Sequence, residues 1–302
     1  SAEHAIKCVA NYFGVPYDTE SLDHDGATLS GYACVDSHGR KWRVVRDSSL
    51  RSASGPTSYG CGELVTPVLC YDDIPDLQQI VRNLRGLGAK SSQAYGCGVH
   101  IHVDAAGHTA RSVRNLVNCV AKHQDLLVKA CGVNPERLSS YCRPINLDFL
   151  ATLNRVKPTT LDQVKTIWYT SHGSSVPRSA HGNHYHNSRY HVLNLHAMFC
   201  GRTIEFRLFE FHNNMHAGEL KAYIQLCMAI NAYAKLVRNC DPRPVQLENE
   251  KFAMRNWLNN MGLSTDEFKT LKKMLTKRLS GDTAYRNGRH AADSLDDLAL
   301  AD

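Results

Sequence analysis

The stretch Gly201-Arg202-Thr203-Ile204-Glu205-Phe206-Arg207-Leu208-Phe209 constrains this chain more than any other. Ile204, Phe206 and Leu208 alternate with Thr203, Glu205 and Arg207, the period that marks a β-strand. One face is apolar, and the other sets a carboxylate beside a guanidinium. A strand flooring an active site has this pattern: the acid holds a metal ion and the arginine grips a phosphate.

The rest of the chain supplies elements to surround it. Ser1 to Phe13 reads as an amphipathic helix, with Ala2, Ile6, Val9 and Phe13 on one face and Gly14 closing it. Residues 29–36 and 41–46 alternate across Ser37-His38-Gly39, a hairpin pattern. Arg51 to Gly60 reads as a loop, Cys61 to Leu69 as a strand, and Asp76 to Leu87 as a helix. Gly98 to Asp104 is a short alternating strand. Thr109 caps a helix running to Ala130 and ended by Gly132, and Asn134-Pro135 starts another. Thr160-x-x-Gln163 and Ser264-x-x-Glu267 read as capping boxes. Residues 171–191 have no period and are long enough for a lid. Strands 192–197 and 202–209 follow, then a helix from Ala217 to Val237 and an acidic tail with Asp293, Asp296 and Asp297. Strands joined by short loops, without βαβ alternation, imply an α+β fold with an antiparallel sheet backed by helices.

A chain of 302 residues can bury a large core. Lysine and arginine exceed acids by 35 − 29 = +6, scattered without a run, which suits an anionic ligand better than a dedicated nucleic-acid surface. No apolar stretch approaches the ~20 residues that span a bilayer, and no signal peptide opens the chain. Eleven cysteines, an odd number without a CxxC pair, fit free thiols in a reducing cytoplasm.

His100-Ile101-His102-Val103-Asp104 places two imidazoles and a carboxylate on one strand face, as either a cation site or a polar surface. Gly96-Cys97-Gly98 before it suggests close backbone approach. Glu63 interrupts an apolar strand, where a buried carboxylate would need a partner or a metal. Asp47 reads on its own as a turn residue. Arg143, Arg178 and Arg189 are each either phosphate grips or solvated surface residues, and His181, His184, His186 and His191 sit in the long loop.

Taken in order, WRVVRDSSL (42–50), GELVTPVL (62–69), CGVHIHVD (97–104), YCRPI (141–145), RYHVLNL (189–195) and GRTIEFRLFE (201–210) resemble the amidoligase family. These are carboxylate–amine ligases related to glutamate–cysteine ligase and glutamine synthetase. The resemblance implies a glutamine-synthetase-like fold: a curved antiparallel sheet, or partial barrel, whose inner face binds ATP, Mg²⁺ or Mn²⁺ and a carboxylate substrate. It implies a catalytic domain over residues 1–240, with 241–302 as a helical extension and polar tail. It makes Glu63 and Glu205 metal ligands with His100 or His102. Asp47 becomes a ligand, substrate contact or proton acceptor, and Arg207 the arginine that stabilises phosphoryl transfer. Arg143 and Arg189 become basic positions near ATP or substrate. The implied partners are a carboxylate and an amine: amino acid, polyamine, peptide or protein. Family members open on a strand reading like GVEIE, whose glutamates bind metal. This chain starts on the following helix, and the strand is expected upstream of Ser1.

Two other readings use the same residues. HxHxD resembles a zinc-hydrolase pattern, although Ala105 stands where a further histidine is expected, and Glu63, Glu205 and Arg207 then have no task. A non-catalytic binding module on a ligase scaffold would explain the absent glutamate strand.

Overall fold

The computed structural model describes residues 1–24, 27–47, 50, 61–174, 183, 185–212, 214–245 and 247–285, with side chains outside 22–30. The chain divides into two compact units, Ser1–Val99 with Glu210–Lys221, and His100–Phe209 with Ala222–Asp302. The fold is α+β, and no closed barrel forms among the described residues.

The first unit is an antiparallel meander of β1 (Tyr17–His24), β2 (Ala27–Val35), β3 (Lys41–Val45) and β4 (Glu63–Val65), packed against α1 (Ala2–Phe13). Helix α1 begins where the Ser1 side chain accepts from the His4 amide. It ends at Gly14, whose φ of 67° is open to glycine without strain. Its buried Ile6 and Val9 face the sheet, and Phe13 leans on the buried Trp42 of β3 at 5.3 Å between ring centroids. Tyr12 Oη donates to Asp76 Oδ1 at 2.7 Å, joining α1 to α2 (Ile74–Gly86). The β2–β3 hairpin turns on Asp36. Its carboxylate accepts from the His38 and Arg40 amides, Arg40 Nε and the Trp42 indole, all between 2.9 and 3.0 Å. Gly31 lets β2 and β3 close up, since a Cβ there would stand 2.7 Å from the Val44 carbonyl oxygen.

Two readings of this unit change and one goes untested. Strand β1 is an addition; the Asp25-Gly26 dipeptide, a strong hairpin signal, lies between its end and β2 but outside the described residues. The strand expected over Cys61 to Leu69 is only Glu63–Val65, because Pro67 has no N–H to continue the ladder and Val68 is exposed. Arg51 to Gly60 lies outside the described residues.

The second unit holds a smaller sheet in the order β5-β7-β6: β5 (Val99–Asp104), β6 (Leu193–Asn194) and β7 (Thr203–Phe209). Its helices are α3 (Ala110–Cys131), α4 (Pro135–Ser140), α5 (Leu147–Val156), α6 (Leu161–Ser171), α7 (His196–Gly201), α8 (Ala217–Leu236, this unit from Ala222 on), α9 (Glu250–Asn260) and α10 (Lys269–Thr276). Thr109 and Gly132 cap α3, Asn134 caps α4, and the Thr160/Gln163 capping box starts α6, as the sequence reads. Helices α5, α6 and α10 pack on α3, and α9 packs on α10. Phe149, Leu153, Val164, Met254, Leu258 and Leu271 are buried in this layer.

Here too the sequence reading needs amendment. The strand expected over 192–197 stops at Asn194. Its Oδ1 accepts from the His196 amide at 2.8 Å and turns the chain into α7. Ser264 does not cap a helix: a 3-10 turn begins after Thr265, and Glu267 Oε1 instead accepts from Gln225 Nε2 at 3.1 Å. Most significantly, among the described residues the strands form two sheets and not the single curved sheet expected. Strand β4 ends at Val65, and β5 pairs with β7 instead. The acidic tail residues Asp293, Asp296 and Asp297 lie outside the described residues.

Candidate active site

Strand β7 is the centre of the second unit's sheet, with a neighbour on each edge, and its run of buried residues shows that both its faces are covered too. Ile204, Phe206 and Leu208 are buried on the apolar side, and Glu205 and Arg207 are buried as well, their side chains only 3% and 5% exposed. Burying an ion pair costs desolvation that its Coulomb attraction only partly offsets, so such a pair is poor evidence of stability and better evidence of a task.

Arg207 Nη1 donates to Glu205 Oε1 at 2.6 Å, while Asn194 Nδ2 on the neighbouring β6 donates to Oε2. From the other neighbour, β5, His100 Nδ1 and His102 Nε2 each stand 3.6 Å from Oε1, too far for a hydrogen bond. His102 Nδ1 is fixed by Thr203 Oγ1 at 2.9 Å. A second buried guanidinium, Arg137 on α4, donates from Nη2 to the Arg207 carbonyl at 2.7 Å and lies 3.5 Å from His100 Nε2. Arg207 Nε reaches the Tyr141 carbonyl at 3.4 Å, and its guanidinium lies 5.5 Å from the centre of the Tyr190 ring.

Electrostatics sort these groups by charge. Burial, reinforced by the Arg207 charge, pulls His100 down to about 3, so at neutral pH it is an uncharged imidazole. His102 is shifted the same way, first by withdrawal from water. Burial alone would raise Glu205, but Arg207, His100, His102 and Asn194 together hold it below the ordinary carboxylate range. The centre therefore holds one carboxylate, two guanidinium ions and two neutral imidazoles, a net positive pocket suited to an anion.

The resemblance-derived residues fall into two groups. His100, His102, Glu205 and Arg207 converge, as does the Tyr190 segment. Arg189 stacks 5.4 Å from Tyr185 and 5.7 Å from Tyr190. Arg143 donates to the Asn187 and Tyr190 carbonyls at 2.9 and 3.2 Å and so holds the turn that presents Tyr190. Glu63 and Asp47 belong to the first unit. Glu63 is exposed at the start of β4 rather than buried, and the Asp47 carbonyl accepts from the Leu50 amide at 3.3 Å. Gly96 before β5 serves a turn, with φ of 73°. Asp104 Oδ1 accepts from the Ala106 amide at 2.9 Å, which gives it a turn role instead of the one a zinc hydrolase needs. Arg178, His181 and His184, with much of the expected lid, lie outside the described residues.

Asn194, Arg137 and Tyr190 were not found from sequence. A buried-looking Asn inside Val192-Leu193-Asn194-Leu195 is a usable signal, since an apolar strand rarely carries an amide without a partner. Arg137 gives none, because only long-range folding brings α4 to β7.

The donor chemistry, neutral imidazole with carboxylate, is what a divalent cation accepts. Their spacing is looser: among the described residues no three His, Cys, Asp or Glu side chains stand around one point closely enough to hold a metal ion. Arg207 instead occupies the oxygen that both histidines face. Among the described residues no helix is long and apolar enough to cross a membrane.

No curated protein and no solved structure gives a significant match to the chain. A family model described as "putative amidoligase enzyme" matches residues 1–231, which include all of β5, β6 and β7. The chain belongs to the amidoligase family, whose name points to enzymes that make amide bonds.

Proposed function

We propose that this chain is a cytoplasmic, ATP-dependent carboxylate–amine ligase with a glutamine-synthetase-like catalytic fold, forming an amide or isopeptide bond through an acyl phosphate. The observation that carries the reading is the buried Glu205–Arg207 pair on β7, faced by two imidazoles kept neutral. A carboxylate is too poor an electrophile for an amine, and transfer of a phosphoryl group to it makes one. The protein's share of that step is positioning and charge neutralisation.

Arg207 is the group for this purpose. It is anchored through Nε to the Tyr141 carbonyl, and Nη1 can leave Glu205 for a phosphoryl oxygen. Arg137 adds a second positive charge behind it, and Asn194 keeps Glu205 oriented when Arg207 moves. Glu205, His100 and His102 are the residues we assign to a divalent cation, Mg²⁺ or Mn²⁺, which when bound would neutralise phosphate charge. Arg189 and Tyr190 offer a flat cationic and aromatic surface for the nucleotide or acid substrate, and Arg143 holds that surface in place. Asp47 keeps the roles read for it from the sequence, ligand, substrate contact or proton acceptor, and Glu63 that of metal ligand.

The test is an ADP-release screen of amino acids, polyamines and peptides, paired as acid and amine, with Mg²⁺ or Mn²⁺, followed by mass spectrometry of products. The reading expects ADP release that needs both partners and a product lighter than their sum by one water. ADP release that ignores the amine, or none with any pair, contradicts it.

A further inference from the structure

Outside the site, the segment after α8 is held along one face of α3. The buried Asn115 donates from Nδ2 to the Val237 carbonyl at 2.8 Å and accepts from the Cys240 amide at 3.2 Å. The buried Asn118 donates to the Cys240 carbonyl at 2.8 Å, and the Val245 amide donates to the Lys122 carbonyl at 3.0 Å. Cys119 lies on α3 one turn beyond Asn115, beside the anchors that hold Cys240, and the two thiols are close enough to shift one another's ionisation. Both thiols are free; Cys119 is buried and Cys240 is half-buried.

We propose that Cys119 and Cys240 form an oxidation site that hydrogen peroxide converts to a disulfide, tying α3 to the segment that leads to the C-terminal helices. The surroundings give the two sulfurs different parts. Cys240 is held below the usual thiol range by the Cys119 contact, with Lys122 adding to the effect, while partial burial and Asp241 oppose it. Cys119 is pushed up by the same contact and by burial, against Trp257 and Lys122. Cys240, the more accessible of the two sulfurs, is the one that peroxide reaches and attacks as its thiolate, while the buried Cys119 follows as a thiol.

The Cys240 thiolate attacks one peroxide oxygen. The O–O bond breaks, Cys240 becomes a sulfenic acid, and hydroxide leaves, two electrons having passed from sulfur to peroxide. The Cys119 sulfur then attacks the Cys240 sulfur: the S–S bond forms, the S–O bond breaks, and the departing hydroxyl leaves as water with the Cys119 proton, while the first hydroxide takes up the proton that Cys240 lost on ionising. One peroxide becomes two waters. A second neighbouring pair, Cys131 and Cys227, is buried throughout, and Cys227 is pushed well above the thiol range, so it is an internal control for access.

The experiment treats the folded full chain with hydrogen peroxide, alkylates it, digests it and maps cross-links by mass spectrometry. The expected result is a Cys119–Cys240 link two hydrogens lighter than the reduced peptides, with Cys131 and Cys227 alkylated only after unfolding. In Cys119→Ala, dimedone should trap the sulfenic acid on Cys240, and Cys240→Ser should abolish both link and adduct. Lys122→Met, which removes no sulfur and leaves the backbone anchor, should slow the oxidation, so the proposal stays testable if Cys119→Ala does not fold. Cys119 and Cys240 remaining reduced while the exposed Cys70 and Cys200 are fully oxidised would overturn it, as would an unchanged rate in Lys122→Met.

Discussion

Asp36 in the first unit and Glu205 in the second are both buried carboxylates inside dense polar networks, and the two networks differ in kind. Asp36 in the first unit takes four hydrogen bonds, all from residues within six positions of it. Its lone pairs are used up by a turn, and these bonds together hold it down to about 2 against the opposing effect of burial. Glu205 in the second unit takes hydrogen bonds from Arg207 and Asn194, side chains that only the assembled sheet brings together, and two imidazoles stop short of it at 3.6 Å. A carboxylate closed by its own turn is scaffolding. One left with approachable oxygens and polar neighbours from separate strands has capacity for a ligand.

The largest expected effect breaks the comparison at Glu205. Glu205→Gln and Arg207→Ala should each lower ATP-dependent turnover by about 10³-fold or more, the scale of a lost phosphoryl-stabilising arginine. Arg207→Ala also strands a buried carboxylate and should destabilise the fold by about 3–5 kcal/mol, read by chemical denaturation. Next comes Asp36→Asn, which leaves donors in the turn facing an amide. It should cost about 1–3 kcal/mol of stability with turnover per folded molecule unchanged. Loss of turnover there would erase the distinction between the two networks.

A smaller effect sharpens the electrostatics. His100 titrates near 3 in the folded chain against an ordinary 6.5, so between these values the unfolded chain binds more protons and stability rises with pH. His100→Gln should flatten the pH dependence of the melting temperature in that window. Some slope remains, because burial also pulls His123 and His191 to about 4. An unaltered slope would mean that His100 is not shifted. The smallest effect is at Glu20, which bridges Lys41 and Arg43 across the first unit's sheet at 2.8 and 2.9 Å. Both cations are well exposed, so Glu20→Ala should change stability by less than about 1 kcal/mol, and by less still in high salt.

What the sequence made legible follows the range of the interactions. Caps at Thr109, Gly132, Asn134 and Thr160 are local and stand where the residues imply. The alternation in β5 and β7 placed His100, His102, Glu205 and Arg207 on strands, and those strands are neighbours. Alternation gives a strand's faces but not its partners, which is why one sheet was expected where the described residues form two. It also cannot show that β7 is covered on both sides. Ser264-x-x-Glu267 matched a local motif, yet Glu267 serves Gln225 on α8, a contact no short window contains. Asn194 and Arg137 complete the Glu205 network only through folding, and no spacing announces them.

The most direct test of the account uses the double variant Glu205→Gln/Arg207→Met, which removes both buried charges together and so avoids stranding either one. Its denaturation midpoint and its ADP release should be measured beside the wild type, with whichever acid and amine pair the screen identifies. The account expects a midpoint close to that of the wild type and no ADP release above the enzyme-free rate. ADP release at the wild-type rate would show that this pair is packing in the core and that the chemistry lies elsewhere.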